Sequence, residues 1–298
     1  MGKCALPRWA CRRRKLCCRV LVALLLLDLG LLVCLSATLI RHRCCPERPY
    51  IRKSTVDVSE KEWEALKAAW HQLNDEFLLG DLFNQHRLYA QHSMHSTDNV
   101  AVPIRAPNGG NLLFLPWHRR FVANLEDLLH SRQPGLVLPY WDIPNHPAVP
   151  SQLVDFLPAV RFGGGDTPSF QPTRAVGQDV GPPELDQLHF ALSRRLYSNF
   201  SLDLECVAFH DSVVLNPGYH DRGHGYVGGT MANLATANAD ILFYLHHAFV
   251  DKAWSEWQLT QDTAIVDSAP TSSSLVPFHA TVGSVQDIGT MQHPYRYV

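Results

Sequence analysis

The chain has 298 residues, 46% hydrophobic and 18% charged, with a formal net charge of −2 at pH 7, enough apolar content for one large globular domain or two modest ones. The average hides an asymmetry: residues 1–53 hold 12 Lys and Arg against two acids, which leaves 14 basic and 26 acidic residues, a formal −12, for residues 54–298. A domain of that charge repels nucleic acid, so no DNA or RNA partner is expected and the basic residues serve another purpose.

Residues 1–19 read as a basic tail, and "VLVALLLLDLGLLVCLSATLI", residues 20–40, follows it. As a helix this stretch crosses a hydrocarbon core of roughly 30 Å. Asp28 is its one charged residue, a tolerable cost at a single position. The dense Arg and Lys of "CRRRKLCCR" predict a cytoplasmic N-terminus, one transmembrane helix acting as a signal anchor, and a lumenal or extracellular body. A signal peptide cleaved after "LSA" is the alternative, but its apolar region runs to only about 7–15 residues, so the anchor is preferred. "MGKCAL" has Leu6 where myristoylation needs Ser or Thr; Cys4, Cys11, Cys17 and Cys18 are candidates for palmitoylation.

Seven of the eight cysteines lie at or before residue 45, so no disulfide framework is expected in the remainder, where Cys206 stands alone. Cys44 and Cys45 could link two chains in an oxidising compartment, giving a disulfide-linked dimer. Residues 41–58 read as a polar linker without periodicity. Asn199-Phe200-Ser201 is the single glycosylation sequon, consistent with a lumenal glycoprotein.

From residue 59 to 298 the pattern predicts a mainly α domain with long loops. Ser59 and Glu62 form a capping box ahead of Trp63, Leu66, Ala69, Trp70 and Leu73, which share one helical face. His71 on that helix is expected at or near the surface. A second helix fits "LFNQHRLYAQHSMH" and a third follows Pro116 as "WHRRFVANLEDLLHSR", ending before Pro134-Gly135. Residues 143–183, rich in Pro and Gly, read as irregular loops. Two more helices fit 219–226 and 238–258, and 259–298 reads as loop with short extended pieces.

Within this frame one local pattern carries chemistry. In "YHDRGHGYVGGTM", His220 and His224 are four residues apart and share a helix face. In "ILFYLHHAFVDKAWSEW", Phe243, His247, Val250, Asp251 and Trp254 recur at helical spacing, which turns His247 inward. Two imidazoles from one helix and a third from its neighbour make a three-nitrogen site suited to copper or zinc. Asp251, one turn beyond His247, could accept the ring N–H or pair with an arginine.

"FLPWHRRF" followed by Glu126, "LPYWD" at 138–142, "YHDRGHGYVGG", "FYLHHAFVDKAW" and the closing "YRY" together resemble the tyrosinase, or type 3 copper, family, which includes catechol oxidases and molluscan haemocyanin domains. The likeness spans roughly residues 59–298, with several motifs in family order. It implies a four-helix-bundle core holding two copper ions, each on three histidines, that bind dioxygen and act on a small phenolic substrate. Phenols are hydroxylated to catechols and catechols oxidised to quinones. Imidazole serves both copper oxidation states, and two metals share the two-electron load. For the second copper the resemblance assigns His220, His224 and His247, with His246, Asp251 and Phe243 in supporting contacts. For the first it assigns His118, from the WHR motif, and His92 on the preceding helix, with His95 and His86 as rivals.

The middle ligand of the first site stands nine residues before the WHR histidine in the family, which here is Gly109; no histidine occurs from 96 to 117. Three readings follow. His95 substitutes, one turn after His92; or water, Asn108 or Asn111 fills the position and copper is held weakly; or the site is lost and the protein is a metal-binding scaffold rather than an oxidase. The resemblance also matches Glu205 and Asp221 to a pair that orients a proton-accepting water, with Asp221 where monophenol-hydroxylating members often carry Asn. Trp117, Tyr140, Trp141 and Trp254 are expected in the core. Arg119 and Glu126, seven residues apart, are expected to bridge to other segments. His130, His146, His189, His210, His279 and His293 match no ligand position.

Overall fold

The structure is a computed structural model that describes residues 49–93, 111–163, 169–208, 215–260 and 268–298. The tail 1–19, the predicted span 20–40, Cys44, Cys45, His95, Gly109 and His210 lie outside the described residues, as does the side chain of His92. Among the described residues no helix is long and apolar enough to cross a membrane.

Ser59 opens helix α1 (Glu60–Asp75) with the expected capping box: its side chain accepts from the Glu62 amide, and the Glu62 carboxylate accepts from the Ser59 amide at 2.8 Å. Two otherwise unpaired N–H groups are thereby satisfied. The predicted apolar face is buried along its whole length, while His71 is exposed. Phe77, at φ 62°, reverses the chain into α2 (Leu78–Ser93). Its buried residues Leu79, Leu82, Phe83 and His86 fall at the i, i+3, i+4, i+7 spacing of one inward stripe.

Helix α3 (Phe114–Arg132) starts three residues earlier than the position after Pro116, because a proline in the first turn lacks only an N–H that has no helical partner there. Short helices α4 (Leu185–Leu192) and α5 (Tyr197–Glu205) pack against each other, in a region the sequence pattern left unassigned. Helix α6 (Tyr219–Val227) follows, and α7 (Ile241–Thr260) is buried almost all round. A helix apolar on every side belongs in a core, and α7 packs on α3, with α6 against it. The mainly helical expectation is met with seven α-helices among the described residues. Residues α2, α3, α6 and α7 contribute meet around Phe243, whose ring contacts His86, Phe121, His224 and His247.

The linker expected over 41–58 is shorter than its composition suggested. Strand β1 (Tyr50–Arg52) pairs in parallel with the last strand, Tyr295–Tyr297, and Ser54 bridges to Tyr140. The other two strands, β2 (Cys206–Ala208) and β3 (Leu215–Pro217), form an antiparallel pair, which makes the C-terminal strand β4. The reason for the difference is electrostatic. Arg52 is fully buried, pairing bidentately with Glu126 at 2.6 and 3.1 Å and with Asp251 at 3.0 Å, its guanidinium 3.6 Å from the Tyr295 ring centroid. A buried charge is tolerated when it is fully paired. Polar composition therefore misled here: these residues are polar because they hold a buried ion network.

Asp251 is the hub of that network. It accepts from Arg52, from Arg119 and from the hydroxyls of Tyr295 and Tyr297. Burial works to raise its carboxyl, but Arg119, Arg52 and the two tyrosines prevail and hold it below the usual value. Glu126 also accepts from the Leu138 amide at 3.0 Å, so Arg119 and Glu126 bridge to separate segments, as their spacing suggested. Trp117, Tyr140, Trp141 and Trp254 are all buried.

Candidate metal centre

Gly218 caps the start of α6, and a Cβ there would lie 2.3 Å from the Asp203 carbonyl oxygen and 2.6 Å from that of Leu204. Only glycine lets α6 begin so close to the end of α5. Its amide donates to the Glu205 carbonyl at 2.7 Å, which fixes the register that turns His220 and His224 toward α7.

Three Nε2 atoms converge there. His220 and His224 are 3.1 Å apart, His224 and His247 3.2 Å, and His220 and His247 3.3 Å. His224 Nδ1 donates to the Met231 carbonyl at 2.9 Å, and His220 Nδ1 donates to the Asp221 carboxylate at 2.7 Å. With Nδ1 carrying the hydrogen, the Nε2 atoms of His220 and His224 present bare lone pairs to one point. Such an arrangement is repulsive unless a cation sits between them. Metal–imidazole bonds of about 2.0–2.1 Å at tetrahedral angles put nitrogens about 3.3–3.4 Å apart, which the observed spacings approach. Burial above all, and then the neighbouring rings of His118, His220, His224 and His246, depress the His247 pKa well below its ordinary value, keeping it in the neutral form a metal requires.

His246 also brings a ring nitrogen within 4.8 Å of nitrogens of His220 and His224. Its Nε2 is already committed to the His220 carbonyl at 3.1 Å, so His247 is the better third donor and His246 a brace. The brace needs space: a Cβ on Gly223 would fall 2.3 Å from His246 Cε1. Asp251 does not reach the His247 ring N–H. The alternative expected for it, pairing with arginine, is what the structure shows.

His118 lies against this trio, its ring stacked on His247 at 4.5 Å and 15°. Its Nδ1 donates to the Phe114 carbonyl at 2.8 Å, so Nε2 is the basic nitrogen. His86 is fully buried 5.9 Å from the His118 ring and 4.8 Å from Phe243, whose ring also contacts His118, His224 and His247. It is one of the rivals to His92, whose side chain lies outside the described residues. His86 holds the inward side of α2, in line with Leu79, Leu82 and Phe83. The signal that could have found it was the stripe Leu79, Leu82, Phe83, His86.

Of the pair matched to water orientation, Glu205 ends α5 and Asp221 lies in the first turn of α6. Glu205 is buried at the end of α5, and Asp221 is first of all the partner of His220. Burial, then the charge of Glu205, pushes the Asp221 carboxyl well up, although 31% of its side chain is accessible.

The family model "Common central domain of tyrosinase" matches residues 83–180 and 178–260. The chain is 32% identical over 185 residues to a tyrosinase of Streptomyces lincolnensis, covering 53% of this chain and 67% of that one. It is 27% identical over 229 residues to Hemocyanin 2 of Megathura crenulata, covering 70% of this chain but 6% of that much longer one. Among solved structures, a polyphenol oxidase mutant from Thermothelomyces thermophila superposes with a TM-score of 0.60 at 19% identity, covering 88% of this chain and 92% of that one.

Proposed function

The chain belongs to the tyrosinase family, and on that premise we propose that it is a copper-dependent oxidoreductase that oxidises phenols or catechols with dioxygen. The family implies a dinuclear copper cofactor; the zinc alternative gains no support from the comparisons. The observation that carries the reading is the convergence of three buried Nε2 atoms with His118 stacked on one of them.

In this reading His220, His224 and His247 hold the second copper. His118 and His86 hold the first, with His92 or His95 supplying a further donor. When bound, the copper pair supplies the two-electron exchange by which a catechol loses two electrons and two protons to become a quinone while dioxygen is reduced toward water. The chain's own residues prepare that exchange. Asp221 and the Met231 carbonyl fix the tautomers of His220 and His224. Phe243 and Phe114, packed on the imidazoles, exclude water from them. Glu205, buried at the end of α5, is the candidate in this reading to take a proton from a bound phenol.

A second reading rests on Gly109: without the middle ligand the protein is a one-metal scaffold with no turnover. Either way, we propose that residues 20–40 anchor the chain as a single-pass membrane protein with its domain lumenal or extracellular, Cys44 and Cys45 available for a disulfide-linked dimer, and Asn199 glycosylated. The test of function is catechol-dependent oxygen uptake by the full-length, copper-loaded chain. Uptake lost in His247→Ala is expected; a wild-type protein that binds copper but consumes no oxygen supports the scaffold.

A further inference from the structure

A pocket of about 440 Å³ lies apart from that centre, between α2, α3 and the segment that joins α7 to β4. The helices line it with Gln85, Arg120 and Asn124, and the segment contributes the apolar Pro277, Phe278 and Met291. That size, with apolar walls and a few polar groups, suits a small organic molecule. No histidine of the metal centre lines it. Trp117 contacts Phe278 at 5.4 Å and His118 at 5.0 Å, so one indole stands between the pocket wall and the nearest imidazole of that centre.

The charge of the lining is unlike that of the domain. Residues 54–298 hold 26 acids against 14 bases, yet among the described residues that line the pocket none is Asp or Glu. Its fixed charge is the Arg120 guanidinium. Nη2 of Arg120 donates to the Asp127 carboxylate at 3.1 Å, and among the described residues its Nε and Nη1 meet no acceptor. The guanidinium carbon is 5.9 Å from the centroid of the Phe278 ring, so cation and aromatic wall stand side by side. Asn124 Nδ2 donates to Gln85 Oε1 at 3.3 Å, which leaves the Gln85 amide nitrogen as a further donor.

We propose that this pocket binds a small aromatic carboxylate. The planar guanidinium of Arg120 matches the two oxygens of a carboxylate, and charge-assisted hydrogen bonds of that kind are the strong ones. The ring of the ligand packs on Phe278 and against the Met291 thioether, both favourable partners for an aromatic face or edge. A cationic ligand would meet Arg120 with no lining carboxylate to balance it. An uncharged one would cover the guanidinium without supplying the acceptor it lacks.

The test is calorimetric titration of the full-length, copper-loaded chain in detergent with 3-phenylpropionate and with its uncharged amide. Saturable binding of the carboxylate is expected, with the amide weaker by about 10-fold or more. Arg120→Gln is expected to weaken the carboxylate by a similar factor. Its ion pair with Asp127 is partly exposed and contributes little to stability, so the variant folds. Asn124→Asp, which sets a like charge in the lining, is expected to weaken the carboxylate and not the amide. His247→Ala, which disables the metal centre, is expected to bind as wild type does. Binding lost in His247→Ala but kept in Arg120→Gln places the carboxylate at the metal centre and overturns the proposal. Equal binding of carboxylate and amide, or no saturable binding to the wild-type chain, overturns it too.

Discussion

The rings of His118 and His247 stack 4.5 Å apart at 15° although 129 positions separate them in the chain, one imidazole on α3 and the other on α7. This contact sets His118 of α3 against the histidine trio of α6 and α7. It depends on α7 being buried on nearly every side, so that α3 and α6 both lie against it.

Asp221 is the carboxylate that fixes His220. Losing such an outer partner typically costs about 10–100-fold in metal affinity. Asp221→Ala is therefore expected to weaken copper at the second site by a factor in that range, read by competition with a Cu(I) chelator. Asp221→Asn retains an acceptor and is expected to lose much less. Equal affinity in all three proteins removes Asp221 from this role.

Gly223 gives room to His246. Gly223→Ala forces the buried ring or the α6 backbone to shift, and overpacking of a filled core costs about 1–3 kcal/mol. The expected result is a lower urea midpoint together with lower copper occupancy. An unchanged midpoint would falsify the packing argument.

Asp251→Ala leaves Arg52 and Arg119 buried without their shared carboxylate. Breaking a buried ion pair from one side costs about 3–5 kcal/mol, so this variant is expected to be among the most destabilised single changes in the domain. Replacing Tyr297 by Phe removes one of four donors and costs less. Chemical denaturation of the two variants distinguishes them, and similar losses would show that Asp251 is not the hub.

These elements differ in how far they could be read in advance. Periodic helices were legible because their apolar stripes and caps are local: Ser59, Glu62 and the Trp63–Leu73 face needed no knowledge of the rest of the chain. His220, His224 and His247 were legible for the same reason, two of them at one helical repeat and the third on an apolar helix. The choice among His86, His92 and His95 was not legible locally, because it depends on which side of α2 faces α7; of the three, the side chain described is that of His86, against Phe243 of α7. The Arg52–Glu126–Asp251 network was hidden altogether, since its members are up to 199 positions apart and its first residue sits in a stretch whose polarity suggests a linker.

The capping carboxylate of Glu62 gives a pH signature. Its hydrogen bond from Lys53, then those from Ser59, bring its pKa from 4.5 to about 2. A depressed carboxylate contributes stability that is present above the unfolded value near 4.5 and lost as pH falls toward about 2. The group is exposed and the pair is screened, so the contribution is about 0.5–1 kcal/mol. Glu62→Gln is expected to be less stable than wild type by that amount at pH 7, with the difference shrinking between pH 4.5 and 2. A constant difference across that window contradicts the assignment.

The central claim is that the imidazoles on α2, α3, α6 and α7 hold two metals despite Gly109. Its most direct test is the copper content of the full-length chain in detergent after loading with Cu(I) under nitrogen. The account predicts two tightly held coppers per chain, falling to one in His86→Ala and to one in His247→Ala. One copper or none in the wild type, or two retained in His86→Ala, contradicts it.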